Sequence, residues 1–302
     1  MQKAFTGFFK KQTKHPIFKR KGEHDSFYLG GDHIQVKGDQ IKIPKLGWVK
    51  MREALRFSGH ILSATISRTA HHWFVSLCIL PKEKPTPCES QASVGVDLGL
   101  NHFATLSTGE IIAAPKPLRG QLKKLKRMQR RLARQVKGSK RREKQKEAIA
   151  LQHYKIRCIR QDAIHKTTTM LTSQFKNIVI EDLNVRGMMK NHRLALSISD
   201  VGFYEFKRQL IYKAELKGNV ITIADRWFPS SKKCCCCGEI KSELTLACRV
   251  YECDQCHQVI DRDLNAAINL KNLLSTGSSP GINAHGQDGS AILHSANCNQ
   301  LG

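Results

Sequence analysis

The sequence predicts an α/β fold built on one mixed sheet, and three observations carry that prediction. Near-continuous apolar runs of strand length recur at 93–96, 177–180 and 219–224, the kind of strand a sheet buries on both faces. Segments with helical periodicity lie between and after these runs, and alternation of strands with helices favours a parallel or mixed sheet. The first run opens the stretch "SVGVDLGLNHFATLSTGEIIAA", where a short break and a Thr-Gly turn separate three strands into an antiparallel meander.

Ahead of this sheet, residues 27–81 read as strands. "IKIPKLGWVKM", "GHILSATISRT" and "HHWFVSLCIL" mix β-branched and aromatic residues between Gly and Pro breaks, which suits a small β-barrel or sheet. The proline-rich "PKEKPTPCESQ" is a linker and the first boundary. After the meander, residues 116–175 turn helical. Leu118, Leu122, Leu125, Leu132 and Val136 form one narrow apolar stripe, and "KGSK" reads as the turn of a helical hairpin. "NIVIEDLNV" is a buried strand, "VGFYEFKRQLIYKAELKG" a helix stopped by Gly218, and "NVITIAD" another buried strand. A cysteine-rich insert and the helix "DRDLNAAINLKNLL" follow. From residue 275 the tail is rich in Gly, Ser and Asn and is expected to lack fixed structure.

Charge narrows the class of partner. The chain has 302 residues, with 50 Lys and Arg against 25 Asp and Glu and a formal charge of +25, far beyond what solubility needs. A polyanion is the natural partner, and nucleic acid fits better than a membrane, because no apolar run approaches the roughly 18 residues that span a bilayer. The opening "MQKAFTGFFKKQTKHP" lacks the apolar core of a secretory signal, so a cytoplasmic protein is expected. Within 116–146 there are fifteen Lys or Arg and one acid, Glu143. A solvated helix normally interleaves acids, so this excess is read as a nucleic-acid face formed by Lys123, Lys124, Arg127, Arg130, Arg131, Arg134, Lys140, Arg141 and Arg142.

Eleven cysteines, seven of them within 234–256, argue for metal ligation over disulfides. Cys234 and Cys237 form one Cys-x2-Cys pair, Cys253 and Cys256 a second, with fifteen residues between them: the spacing of a zinc ribbon. Four thiolates leave Zn²⁺ no open position, so this metal is expected to hold structure. Cys235, Cys236 and His257 are neighbouring substitutes.

Three acids stand at the ends of buried elements: Asp97, Glu181 and Asp263. Each has a plain alternative reading, as a turn residue, a strand end or a helix N-cap. Together, at the edge of a sheet beside basic helices, they could hold Mg²⁺ for phosphodiester hydrolysis.

These acids lie in three of four motifs, "VGVDLGLNHFATLSTG", "NIVIEDLNVRGM", "WFPSSKKCCCCG" and "DRDLNAAINL", that strongly resemble the transposon-encoded TnpB (OrfB) family, relatives of the type V CRISPR effector nucleases; the third carries the first cysteine pair. The resemblance covers about residues 4–274. It implies an RNase H-like, RuvC-type mixed sheet with a helical hairpin and a zinc-ribbon insert, preceded by a small, wedge-like β-barrel. It also implies a Mg²⁺-dependent, RNA-guided DNA endonuclease partnered by DNA and by a guide RNA from the transposon end, with no small-molecule substrate. Asp97, Glu181 and Asp263 match the three catalytic acids, with Asp261 and Asp182 as supporting residues. The implied division is a wedge-like β domain over 1–84, the nuclease domain over 85–228 with its basic hairpin at 116–175, the ribbon at 229–258, the last nuclease helix at 259–274 and a tail at 275–302. The family usually begins with a strand and a helical recognition module, so a shortened N-terminus is expected. A binder that no longer cuts, and a transposase that joins DNA ends, are the competing readings.

Overall fold

The computed structural model describes residues 2–17, 22, 25–82, 86–245 and 248–275. The expected tail lies outside these residues except for Ser275. The chain divides into two units, Met1–Lys84 with Gln129–Tyr154 and Pro85–Met128 with Lys155–Gly302.

The first unit opens with the short helix α1 (Gln2–Phe9), followed by strands β1 (Ser26–Gly30), β2 (Gln35–Lys37), β3 (Gln40–Ile43), β4 (Gly47–Lys50), β5 (Gly59–Thr69) and β6 (His72–Pro81). By hydrogen bonding these are two antiparallel sheets, β1-β5-β6 and β2-β3-β4, where the sequence suggests a small barrel or sheet. Alternation decides which faces meet: Ile41 and Ile43 of β3 share one core with Ala64 and Ile66 of β5. Strands β5 and β6 are joined by the two-residue turn Ala70-His71, and both residues take positive φ, 46° and 70°. Such turns normally recruit Gly or Asn, which is why the sequence carries no clear signal for this one.

The second unit is organised by a five-stranded sheet. Strands β7 (Ser93–Leu98), β8 (His102–Leu106) and β9 (Ile111–Ala113) form the antiparallel meander. Helices α2 (Pro117–Ala133) and α3 (Lys140–Gln174) form the hairpin, whose turn end, Gln129–Tyr154, belongs to the first unit, and β10 (Asn177–Glu181) then returns parallel to β7. Short helix α4 (Val185–Met188), then α5 (Ala195–Val201) and α6 (Phe203–Lys217), lead to β11 (Val220–Ala224), which lies parallel to β10. The strand order is β11-β10-β7-β8-β9. The insert carries the ribbon β12 (Val250–Glu252) and β13 (Val259–Asp261), and α7 (Arg262–Asn272) ends the described fold.

Both faces of the central strands are covered, as their continuous apolar character demands. On one face Val94, Val96, Ile178, Ile180 and Ile221 pack with Ile164 and Leu171 of α3, Ile198 of α5, and Phe206 and Leu210 of α6. On the other, Val179 and Ala224 pack with Leu270 of α7.

One expectation needs correction. Val136 is 76% exposed and lies past the end of α2, so the hairpin stripe stops at Leu132. The helix expected from residue 201 begins at Phe203 and stops at Gly218 as expected, because Gly202 at φ 79° separates it from α5, to which Val201 belongs.

Candidate active site and cysteine centre

Strand register brings the first two acids side by side. Ile180 of β10 pairs with Val96 of β7 in a parallel ladder, so the next residues, Glu181 and Asp97, sit level at the carboxyl ends of adjacent strands. Side chains at paired positions share a face, and here it is the face that carries Gly95, Val179 and α7.

Helix α7 brings the third. It packs most closely on β7, and Gly95 makes that approach possible: a Cβ there would lie 2.0 Å from the Ala267 carbonyl oxygen and 2.5 Å from the Lys271 nitrogen. One turn before Ala267 is Asp263, in the first turn of α7. The N-cap of α7 is Asp261, whose Oδ1 accepts from the backbone N–H of Asp263 and Leu264. Asp263 is thereby released from the capping role that its position suggests.

The electrostatics register this convergence. Burial pushes the Asp97 carboxyl well above the usual carboxylate range, and the charges of Glu181, Asp263 and Asp261 push it further, opposed by the Arg262 guanidinium. Glu181 is raised by burial and by Asp263, while a hydrogen bond from Ser230 Oγ and the charge of Arg262 oppose the shift. Both carboxyls therefore hold their protons more tightly than free ones do, and Arg262 offsets the shift only in part. Asp182, the next residue, is turned to a different use: it accepts from Lys207 Nζ at 3.0 Å and Arg226 Nη2 at 2.5 Å.

The four expected cysteines also meet. Ligand atoms of Cys234, Cys237, Cys253 and Cys256 all lie within 4.8 Å of one another, with Cys234 to Cys256 at 3.6 Å and Cys237 to Cys253 at 3.5 Å. Tetrahedral Zn²⁺ with bonds of about 2.3 Å separates its sulfurs by about 3.8 Å, so the cluster could hold that ion. Among the described residues it is the only group of three or more His, Cys, Asp or Glu gathered closely enough for a single ion. Each knuckle closes on a residue of positive φ, Gly238 at 84° and His257 at 55°. Cys235 is half-buried and Cys236 exposed, neither belonging to the cluster.

Two asparagines tie the first knuckle to α7. Buried Asn265 accepts from Cys235 N–H and donates to the Lys233 carbonyl, and buried Asn269 donates to the carbonyls of Ser230 and Lys233. Sequence reasoning passed over both, as it did Ser230 and Arg262. Two asparagines four residues apart in the otherwise apolar stretch "LNAAINL" were the available signal, since buried amides need partners.

Of the nine basic residues singled out on the hairpin, Lys123, Lys124, Arg127, Arg130, Arg131, Arg134, Lys140 and Arg141 are exposed. Arg142 is not free to contact a ligand in the same way: its Nη1 donates to the carbonyls of Leu132 and Gln135 and secures the turn. Within the hairpin, the ion pairs Glu143 with Lys146 and Asp162 with Lys166 lie on α3.

Comparison with known proteins gives the family. The family described as "Probable transposase" (OrfB, IS605 type) matches residues 76–192, and the "Cas12f1-like, TNB domain" matches 203–270. A Streptomyces pristinaespiralis protein named "Putative RNA-guided DNA endonuclease" is 37% identical over 282 residues, covering 92% of this chain and 69% of that protein. The chain belongs to the TnpB (OrfB) family. A second TnpB-type relative, the Escherichia coli K12 protein named "Putative RNA-guided DNA endonuclease InsQ", is 33% identical over 294 residues, covering 92% of this chain and 72% of its own length. A solved Cas12f1–sgRNA–target DNA complex aligns with 90% of this TnpB-family chain and 76% of its own, at a TM-score of 0.44 and 16% identity. No helix among the described residues is long and apolar enough to cross a membrane.

Proposed function

We propose that this chain is a transposon-associated, RNA-guided DNA endonuclease that hydrolyses phosphodiesters at Asp97, Glu181 and Asp263. The observation that carries the reading is the meeting of three carboxylates from β7, β10 and α7 at one sheet edge, with burial and mutual repulsion raising the Asp97 and Glu181 carboxyls. Family membership and the names of the relatives support it.

The donor set suits Mg²⁺ in chemistry, being hard carboxylate oxygens, although the three acids are gathered less tightly than the four cysteines, which suits ions shared between pairs of acids. Bound there by Asp97, Glu181 and Asp263, Mg²⁺ would supply activation of water and stabilisation of the leaving oxygen. The chain's own residues prepare that site. Ser230 orients Glu181 through its hydroxyl, Arg262 limits the repulsion among the acids, and Asp261 fixes the start of α7 so that Asp263 faces the strand ends.

The sheet is read as RNase H-like, with a meander followed by two parallel strands, and the cysteine insert over 229–258 as a zinc ribbon that steadies α7 and helps deliver DNA. The N-terminal sheets are read as wedge-like, holding guide RNA in part through exposed aromatics such as Trp48 and Trp73. The basic face of the hairpin follows the guide and target duplex, while base pairing supplies sequence specificity.

Asp97→Ala tests this directly. With RNA bound, the variant is expected to retain target binding and lose cleavage by about 100- to 1000-fold, as loss of a principal charge-stabilising group does. Undiminished cleavage in that variant would refute the assignment; guided binding without cleavage by the wild-type chain would favour the non-cutting reading, and joined DNA products the transposase reading.

A further inference from the structure

Next to Glu181 the second unit carries a cleft of about 260 Å³. Leu98, Ile180 and Phe203 make its inner surface apolar, and Tyr204, Lys207 and Arg226 stand around it. Lys207 comes from α6 and Arg226 from the loop after β11, yet one carboxylate, Asp182, accepts hydrogen bonds from both. Two cations from different elements are thereby fixed at one side of the cleft. Their side chains remain 35% and 47% exposed, so each keeps surface for a ligand. Tyr204 is 72% exposed.

An apolar recess, an accessible aromatic ring and two immobilised cations together suit unpaired nucleic acid: a base stacks on the ring while its phosphate meets the cations. Ordering of both cations by Asp182 lowers the entropy lost when a phosphate binds. The recess is too small for a duplex, so a base must leave its stack to enter.

We propose that this cleft takes one unpaired nucleotide of the DNA strand being cut, with its base against Tyr204 and its phosphate on Lys207 and Arg226, which presents the neighbouring phosphodiester at Glu181. The inference rests on the nuclease reading above. Lys207 and Arg226 are positioning residues, and Asp182 acts through them.

The test uses the RNA-bound full chain and a target DNA carrying 5-iododeoxyuridine beside the cut. Irradiation is expected to crosslink that nucleotide to Tyr204. Lys207→Gln and Arg226→Gln are expected to slow single-turnover cleavage about 10- to 100-fold, with target affinity, carried mainly by guide pairing, falling far less than the rate and part of the rate regained in Arg226→Lys. Wild-type rates in both glutamine variants overturn the positioning role even if the crosslink forms. Efficient cutting with neither the crosslink nor a rate effect overturns the cleft and leaves the nuclease reading standing. A crosslink at Tyr204 in a wild-type complex that cuts nothing does the reverse, and neither crosslink nor cutting overturns both.

Discussion

Asp261 and Asp263 stand two residues apart and serve different ends. Asp261 takes the two backbone donors at the start of α7, so Asp263 is left to face Asp97 and Glu181. That division is invisible in "DRDLN", where either aspartate could cap. Asp200 is a similar case at longer range. It is 1% exposed, accepts from the backbone N–H of Leu118 and Arg119 at the start of α2, and pairs with Arg160 at 3.0 Å. Asp200→Ala would leave a helix start uncapped and a partly buried guanidinium without its carboxylate. It should cost about 3 kcal/mol, read as a shift of the urea midpoint at constant slope. No sequence argument finds Asp200, because its backbone partners are 82 and 81 residues away. Asp97 and Glu181 were legible for the opposite reason: each ends an apolar run, which is a local pattern. His257 shows the same contrast. Its position after the last knuckle cysteine is local, but its φ of 55°, where the first knuckle has Gly238, emerges only from the fold.

Between elements, the packing that matters most is α7 on β7. Gly95 is the point of closest approach, and Gly95→Ala would drive a Cβ into the backbone of α7 at Ala267 and Lys271. Because backbone cannot move aside as a side chain can, the expected cost is about 3 kcal/mol. Cleavage should fall with stability, since the same shift displaces Asp263; chemical denaturation and a cleavage rate measure the two effects. The cysteine centre acts on the same helix through Asn265 and Asn269. One zinc per chain is expected by elemental analysis, and its removal by a chelator should lower the melting temperature by about 5 °C or more, with cleavage lost alongside. The strands, the hairpin and the insert were legible because period and Cys spacing are short-range signals. The break at Gly202 and the helices α1, α4 and α5 were not, being short elements that tertiary packing stabilises. The first two strands' sheet partners also escaped notice: alternation gives a strand's faces but not which sheet it joins.

For the whole molecule the dominant fact is charge. At +25, with eight of nine singled-out hairpin cations exposed, the chain should bind nucleic acid with strong salt dependence. Replacing Lys123, Lys124 and Arg127 with glutamine should reduce the slope of log affinity against log salt by about 0.9 for each phosphate no longer neutralised, roughly 2.7 for the three. A slope unchanged in the triple variant would remove this face from the interface. Composition announced the polyanionic partner, whereas the use of Arg142 to secure the hairpin turn required the structure. On the proposed reading, these features serve one arrangement, in which acids distant along the chain would share divalent metal at a sheet edge. The most direct measurement is an anomalous-scattering map from crystals of the RNA-bound chain soaked in Mn²⁺ as a stand-in for Mg²⁺. The account predicts density within about 2.2 Å of carboxylate oxygens of Asp97, Glu181 and Asp263, absent in Asp97→Ala; manganese bound elsewhere, or not at all, in a chain that still cuts DNA would contradict it.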